Sequence, residues 1–267
     1  MATLNDLMRM NGRRALITGA AGSLGCVIAD TLAELGADLV LVDRPGADLA
    51  GLATTLADKW DIQVQTESCD LESQDNRDRL IGAALKDNAR LDVLVNNAAF
   101  VGTSGLQGWA LPFEQQTVET WRRAMEVNVT AAFDLCKQFA VSMRQSPHAS
   151  IINIGSIYGQ YGPNWQLYEG TAMANPAAYA ASKGALIQLT RWLATTLAPS
   201  VRVNCISPGG IARGQPESFV ARYEAQTPLA RMAVEDDFRG AVAYLASDLS
   251  RYVTGQNLAV DGGWGVW

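Results

Sequence analysis

The chain contains a single histidine, His148, beside Pro147 in what reads as a loop. One imidazole in that setting builds neither a Ser-His-Asp triad nor a metal site, which excludes a histidine-dependent hydrolase. Cysteine is scarce as well. Cys26, Cys69, Cys136 and Cys205 are scattered with no Cys-x-x-Cys spacing, so they read as buried, reduced thiols of a cytoplasmic protein, and no metal site is expected. No basic run occurs and the net charge is −6, which argues against nucleic acid or an anionic membrane surface as the main partner. No apolar stretch approaches the roughly 18 residues of a membrane span. The opening Met1-Ala-Thr-Leu-Asn-Asp6 has no cationic region followed by an apolar core, so a secretory signal is not expected.

What is present is a soluble, globular composition, 48% hydrophobic and 18% charged over 267 residues. Short β-branched or Leu-rich runs alternate with amphipathic segments. Strands are expected at Arg14–Thr18, Asp38–Asp43, Gln63–Cys69, Leu91–Val95, Ser150–Ile154, Val201–Ile206 and Asn257–Val260. Helices are expected at Ser23–Gly36, Asp48–Trp60, Gln74–Lys86, Val118–Met143 and Ala177–Leu197. Nearly continuous apolar strands imply burial on both faces, and strict alternation implies a parallel sheet between helices. The fold class expected is α/β, one doubly wound Rossmann domain over residues 1–267, because no repeat or Pro/Ser-rich linker marks a second domain.

The segment Tyr179-Ala-Ala-Ser-Lys183 carries the chemistry. A tyrosine and a lysine at i and i+4 share a helix face. An ammonium there favours the phenolate and lowers a pKa that is ordinarily near 10. Such a phenol is a proton donor or acceptor suited to interconverting an alcohol and a carbonyl. Upstream, Thr18-Gly-Ala-Ala-Gly-Ser-Leu-Gly25 joins the first strand to the first helix. Its glycines allow a sharp turn and close approach of a pyrophosphate, and the helix beyond offers free N–H groups. Asp43 ends the second strand, near the spacing at which an acid binds the adenosine ribose and repels a 2′-phosphate. NAD is therefore expected in preference to NADP, although Arg44 follows and could pair with such a phosphate.

Together these pieces resemble the short-chain dehydrogenase/reductase family, from about Arg14 to Gly263. The family's glycine motif corresponds to Gly19–Gly25, with Ser23 where a glycine is usual and Leu24 beside it. The resemblance implies that Asp70, with Leu71, contacts the adenine, that Asn97 braces the sheet, and that the backbone at Ala98 lines the adenosine pocket. It also implies a catalytic tetrad of Asn128, Ser156, Tyr179 and Lys183. In it Ser156 orients the substrate oxygen, Tyr179 exchanges its proton, Lys183 holds the nicotinamide ribose, and Asn128 positions a relay water. Asn128 also opens an Asn-Val-Thr sequon, which a cytoplasmic protein never presents for glycosylation. Pro208, Gly209 and Ile211 match the segment that fixes the nicotinamide, and Arg213 and Gly214 stand where the family often has a threonine. Family members pair through the helices near Trp121–Met143 and Ala177–Leu197, which implies a homodimer or homotetramer.

The stretch between Ser156 and Tyr179 is roughly twice as long as the resemblance implies. It carries Tyr161, Trp165, Tyr168 and Glu169, which suit either a sugar-like substrate or packing against protein. Further variable regions are expected near residues 100–116, with Trp109 and Phe113, and 212–237, with Arg213, Arg222, Tyr223 and Arg231 available to an anionic group. The long loop and the Trp-rich end Asp261–Trp267 also resemble dehydrogenases of bacterial surface-glycan and nonulosonate sugar pathways. The expected function is hydride transfer between NAD(H) and a secondary alcohol or ketone, with a sugar or sugar derivative as the candidate substrate. The alternatives are an NADPH-dependent ketoreductase of the 3-oxoacyl type and a nucleotide-binding protein without catalysis.

Overall fold

The computed structural model describes residues 1–86, 89–101 and 106–267. Seven strands form one sheet: β1 (Arg14–Thr18), β2 (Asp38–Asp43), β3 (Val64–Ser68), β4 (Val93–Asn96), β5 (Ser150–Ile154), β6 (Arg202–Pro208) and β7 (Asn257–Val260). Their order is β3-β2-β1-β4-β5-β6-β7 and every pairing is parallel. The order reverses between β1 and β4, and in such sheets ligands bind in the crevice beyond the strand C-termini at that point. This is the doubly wound α/β architecture expected.

The helices are α1 (Leu4–Met8), α2 (Ser23–Glu34), α3 (Leu49–Trp60), α4 (Gln74–Ala84), α5 (Val118–Met125), α6 (Ala131–Met143), α7 (Ala177–Leu197), α8 (Glu217–Gln226) and α9 (Arg239–Ala246). Successive strand residues point to opposite faces, so each strand feeds two cores. Ile17, Leu39 and Val93 pack with Ile28 and Leu32 of α2 and Val242 and Leu245 of α9. Leu16, Val40 and Leu94 pack on the other face with Leu135 and Phe139 of α6 and Leu193 of α7. Each such side chain contributes about 1.5–3 kcal/mol by leaving water. Among the described residues no helix is long and apolar enough to cross a membrane.

The single helix expected over Val118–Met143 is interrupted. A π-helical turn, Glu126–Thr130, lies between α5 and α6 and carries Asn128. Arg77, 2% exposed, spans this turn with ion pairs to Glu126 at 2.9 Å and Asp134 at 3.0 Å, and it also donates to the Leu71 carbonyl. Single π turns inside α-helices cost hydrogen-bond geometry and recur at functional sites.

Candidate active site

A cleft of about 1100 Å³ opens at the reversal of strand order. Its floor is the β1–α2 turn. Gly19 has φ +65°, and a Cβ there would meet the Ala98 Cα at 2.9 Å; one on Gly25 would meet the Gly19 carbonyl oxygen at 2.0 Å. Only glycine fits both positions. Gly22 caps α2 without a side-chain hydrogen bond, so the helix N-terminus, at Ser23, Leu24 and Gly25, faces the cleft with its amides free for an anion. Asn97 donates through Nδ2 to the carbonyls of Thr18 and Gly19 at 2.9 and 3.0 Å, while the amides of Asn97 and Ala98 both donate to Thr18 Oγ1 at 3.1 Å. Asn97 thus braces β4 against β1, as expected. Thr18 was not anticipated; a buried hydroxyl at the last position of β1 is the signal that would have found it.

Asp43 stands at the end of β2. Its Oδ2 accepts from the Ala21 amide at 2.9 Å and its Oδ1 from the Arg44 amide at 2.7 Å. The carboxylate therefore also shapes the glycine turn. Asp70, Leu71, Asn97, Ala98, Pro208, Gly209 and Ile211 all line the same cleft, whereas Asn128 does not. Beyond Ile211, Gln215 donates to the Ile211 carbonyl and accepts from the Arg213 amide, both at 2.7 Å. Gln215 holds the segment where the family often has threonine, and sequence reasoning missed it.

At the far end of the cleft lie Ser156, Tyr179 and Lys183. Ser156 follows β5, and its Oγ accepts from the Tyr158 amide at 3.2 Å. Tyr179 and Lys183 occupy the first turns of α7, with the Lys183 Nζ 5.7 Å from the Tyr179 ring centroid. Burial pushes the Tyr179 phenol above its ordinary value, and the Ser156 hydroxyl and the Arg213 charge pull it back only partly. The expected lowering by Lys183 is therefore not what the structure shows. Lys183 donates to the Ile154 carbonyl at 2.7 Å, and burial lowers its own pKa to about 8. Desolvation by burial is the largest influence on each group.

Asn128 is buried. It donates to Ser182 Oγ at 2.8 Å and accepts from the Phe100 amide at 2.6 Å, while Ser182 donates to the Tyr179 carbonyl at 2.8 Å. Its side chain thus fixes the first turn of α7, through a serine the sequence did not single out.

The variable regions separate. Trp109 is buried and packs edge-on to Phe100 at 5.0 Å, whereas Phe113 is exposed; residues 102–105 of this region lie outside the described residues. In the segment between Ser156 and Tyr179, Tyr161 donates to the Gly265 carbonyl, and Tyr168 meets Phe219 of α8 at 5.4 Å. The segment packs largely on its own chain. Arg222 donates to the carbonyls of Leu167 and Glu169, and Arg231 pairs with Asp237 at 2.6 Å, so neither is left for an anion. Arg213 lines the cleft, paired at 3.0 Å with Glu235. Cys69, Cys136 and Cys205 are buried, Cys26 is half-buried, and all four are free thiols. Among the described residues no group of His, Cys, Asp and Glu side chains is placed to hold a metal.

Sheet, glycine turn and tyrosine–lysine pair define a dinucleotide-binding oxidoreductase. Residues 19–265 match the family model described as enoyl-(acyl carrier protein) reductase. The chain is 34% identical to cis-4-hydroxycyclohexanecarboxylate dehydrogenase of Sinomonas cyclohexanicum, over 94% of this chain and 96% of that protein. It is also 34% identical to a galactitol 2-dehydrogenase (L-tagatose-forming) of Cereibacter sphaeroides, over 98% of each. A gluconate 5-dehydrogenase from Burkholderia cenocepacia J2315, solved with NADP and tartrate, superposes with TM-score 0.86 at 29% identity, covering 99% of this chain and 100% of that one. The chain belongs to the short-chain dehydrogenase/reductase family and is an NAD(P)-dependent enzyme acting on CH–OH groups.

Proposed function

We propose that the enzyme interconverts a secondary alcohol and a ketone on a small, sugar-like molecule, with NAD as its cofactor. The observation that carries this reading is the Tyr179 phenol, set beside Ser156 and above Lys183 at the end of a cleft that begins at the glycine turn. The cleft fits a dinucleotide: a Cβ at Gly19 or Gly25 would break the tight turn that forms its floor, the start of α2 would receive the pyrophosphate, and Asp43 would meet the ribose hydroxyls. A nicotinamide bound there supplies the carbon that gives or takes hydride.

The chain's own residues do the rest. Ser156 Oγ orients the substrate oxygen, and Tyr179 gives its proton to a carbonyl or takes one from an alcohol. Lys183 holds the ribose and steadies the phenolate when it forms, while Asn128, through Ser182, keeps Tyr179 in place. The sugar-like substrate class is supported by relatives named for galactitol and gluconate. Exposed Trp121, Phe133 and Trp192 on α5, α6 and α7 support assembly into a homodimer or homotetramer.

A second reading, an NADPH-dependent ketoreductase of the 3-oxoacyl type, is favoured by Arg44, which lines the cleft beside Asp43. The deciding experiment is a fluorescence titration of NADH against NADPH on wild type and Asp43→Ala. Tighter NADH binding that weakens in the variant is expected. Preference for NADPH would hand the site to Arg44, and binding of neither would overturn the oxidoreductase reading.

A further inference from the structure

The segment between Ser156 and Tyr179 does more than pack. Tyr158 and Tyr168 join their hydroxyls at 2.5 Å. Asn175, 6% exposed, stands just before α7, yet neither its Oδ1 nor its Nδ2 finds a hydrogen-bond partner among the described residues. The Asn175 amide also tempers the rise that burial imposes on both phenols. The cluster lies next to the cleft, tied to it through Ser156, and none of its three residues is in the cleft lining. Tyr158 donates its amide to Ser156 Oγ, and Asn175 precedes Tyr179 by one helical turn. A charge formed on Tyr179 would raise both phenols.

A buried amide with both atoms unbonded is costly and uncommon, and it is kept where something outside the fold uses it. In a bonded pair of phenols one hydroxyl keeps a proton to donate, and the Asn175 amide offers both a donor and an acceptor. That combination matches an alcohol, which donates once and accepts. It does not match the hydrocarbon tail of an acyl chain, which offers nothing to bond, and a thioester carbonyl would only accept. The cluster is roofed by Phe219 and Tyr223 of α8, which exclude water and sharpen discrimination.

Resting on the proposed alcohol–ketone reading, we infer that Tyr158, Tyr168 and Asn175 form a subsite that reads a second hydroxyl of the substrate, beyond the one that reacts. The substrate is then a polyol or hydroxylated ring rather than a simple alcohol or an acyl thioester. A site built to bond a hydroxyl rejects the analogue that lacks it, because its own polar groups are left unpaired.

The test compares cyclohexanol with the cis-1,2-, 1,3- and 1,4-cyclohexanediols, following reduction of whichever of NAD and NADP the protein binds more tightly. Wild type is expected to prefer at least one diol by about tenfold or more in kcat/KM. Asn175→Leu and Tyr168→Phe should bring that ratio to near unity while cyclohexanol itself is turned over as before. Asn175→Leu should melt no lower than wild type, since it replaces an unbonded buried amide by an apolar group of similar size. A ratio near unity in wild type, or one that survives both substitutions, overturns the subsite. So does a lower melting temperature for Asn175→Leu with its ratio intact, which would make the amide structural. Turnover of none of the probes instead overturns the alcohol–ketone reading on which the subsite rests. Tyr158→Phe repeats the comparison from the other side of the hydroxyl pair.

Discussion

The Lys183 Nζ donates to the Ile154 carbonyl at 2.7 Å, which anchors α7 to the end of β5 from inside the cleft. Its pKa, lowered by burial to about 8, lies below the 10.5 of an exposed lysine. Between those values the unfolded chain binds more protons, so this group's contribution to stability rises with pH across that window. Below pH 8 the cost of the buried charge is present in full. The melting temperature of Lys183→Met minus that of wild type should therefore be most positive near pH 7 and shrink toward pH 10. Thermal melts at matched ionic strength check this, and a difference that grows with pH would refute it.

Tyr179→Phe removes the proton and keeps the ring. Turnover should fall by about 10²–10⁴-fold while affinity for the cofactor changes little. Single-turnover kinetics beside a binding titration separate the two effects.

Gly25→Ala should disable the cleft. Its Cβ would sit 2.0 Å from the Gly19 carbonyl oxygen, so the turn must open. A loss of about 1–3 kcal/mol in stability is expected, with cofactor binding lost outright. Denaturant unfolding and NADH fluorescence report the two independently.

Arg77→Met strips the partner from Glu126 and from the nearly buried Asp134. Breaking a buried pair from one side costs about 3–5 kcal/mol. Because the pair spans the π turn that carries Asn128, kcat should fall as well, although Arg77 lines no part of the cleft.

Arg213→Ala and Arg222→Ala should differ in kind. Arg213 lines the cleft and its charge reaches Tyr179, so losing it should lower kcat/KM for a carboxylate-bearing substrate. Arg222 holds the carbonyls of Leu167 and Glu169, so its loss should lower the melting temperature and leave the preference for anions unchanged. Equal effects of Arg213→Ala on a carboxylate-bearing substrate and on a neutral one would remove the anion contact.

Much of this was legible in the sequence. All seven strands follow from apolar runs bounded by turn residues, and the glycine turn, Asp43, Ser156, Tyr179 and Lys183 fall on the cleft as their spacing implied. What escaped depends on contacts between distant residues. The π turn at Asn128 is written in no local propensity; it accompanies the clamp of Arg77 and the bonds to Phe100 and Ser182. The upward shift of Tyr179 reflects desolvation, which helix spacing does not register. The arginines of residues 212–237 resembled an anion site because their partners, Asp237, Glu235 and the carbonyls of Leu167 and Glu169, are brought to them by the fold rather than by helical spacing.

Tyr168, Phe219, Tyr223 and Trp264 form a continuous aromatic stack, with ring centroids 5.4, 6.1 and 6.1 Å apart in turn. The stack fastens together the loop before α7, helix α8 and the C-terminal segment, so none of them can swing aside without breaking contacts with the next. Selectivity and residence time then become one trait. A substitution that loosens the stack to admit a bulkier molecule would also hasten product escape, and laboratory evolution toward new substrates should recover turnover number and promiscuity together.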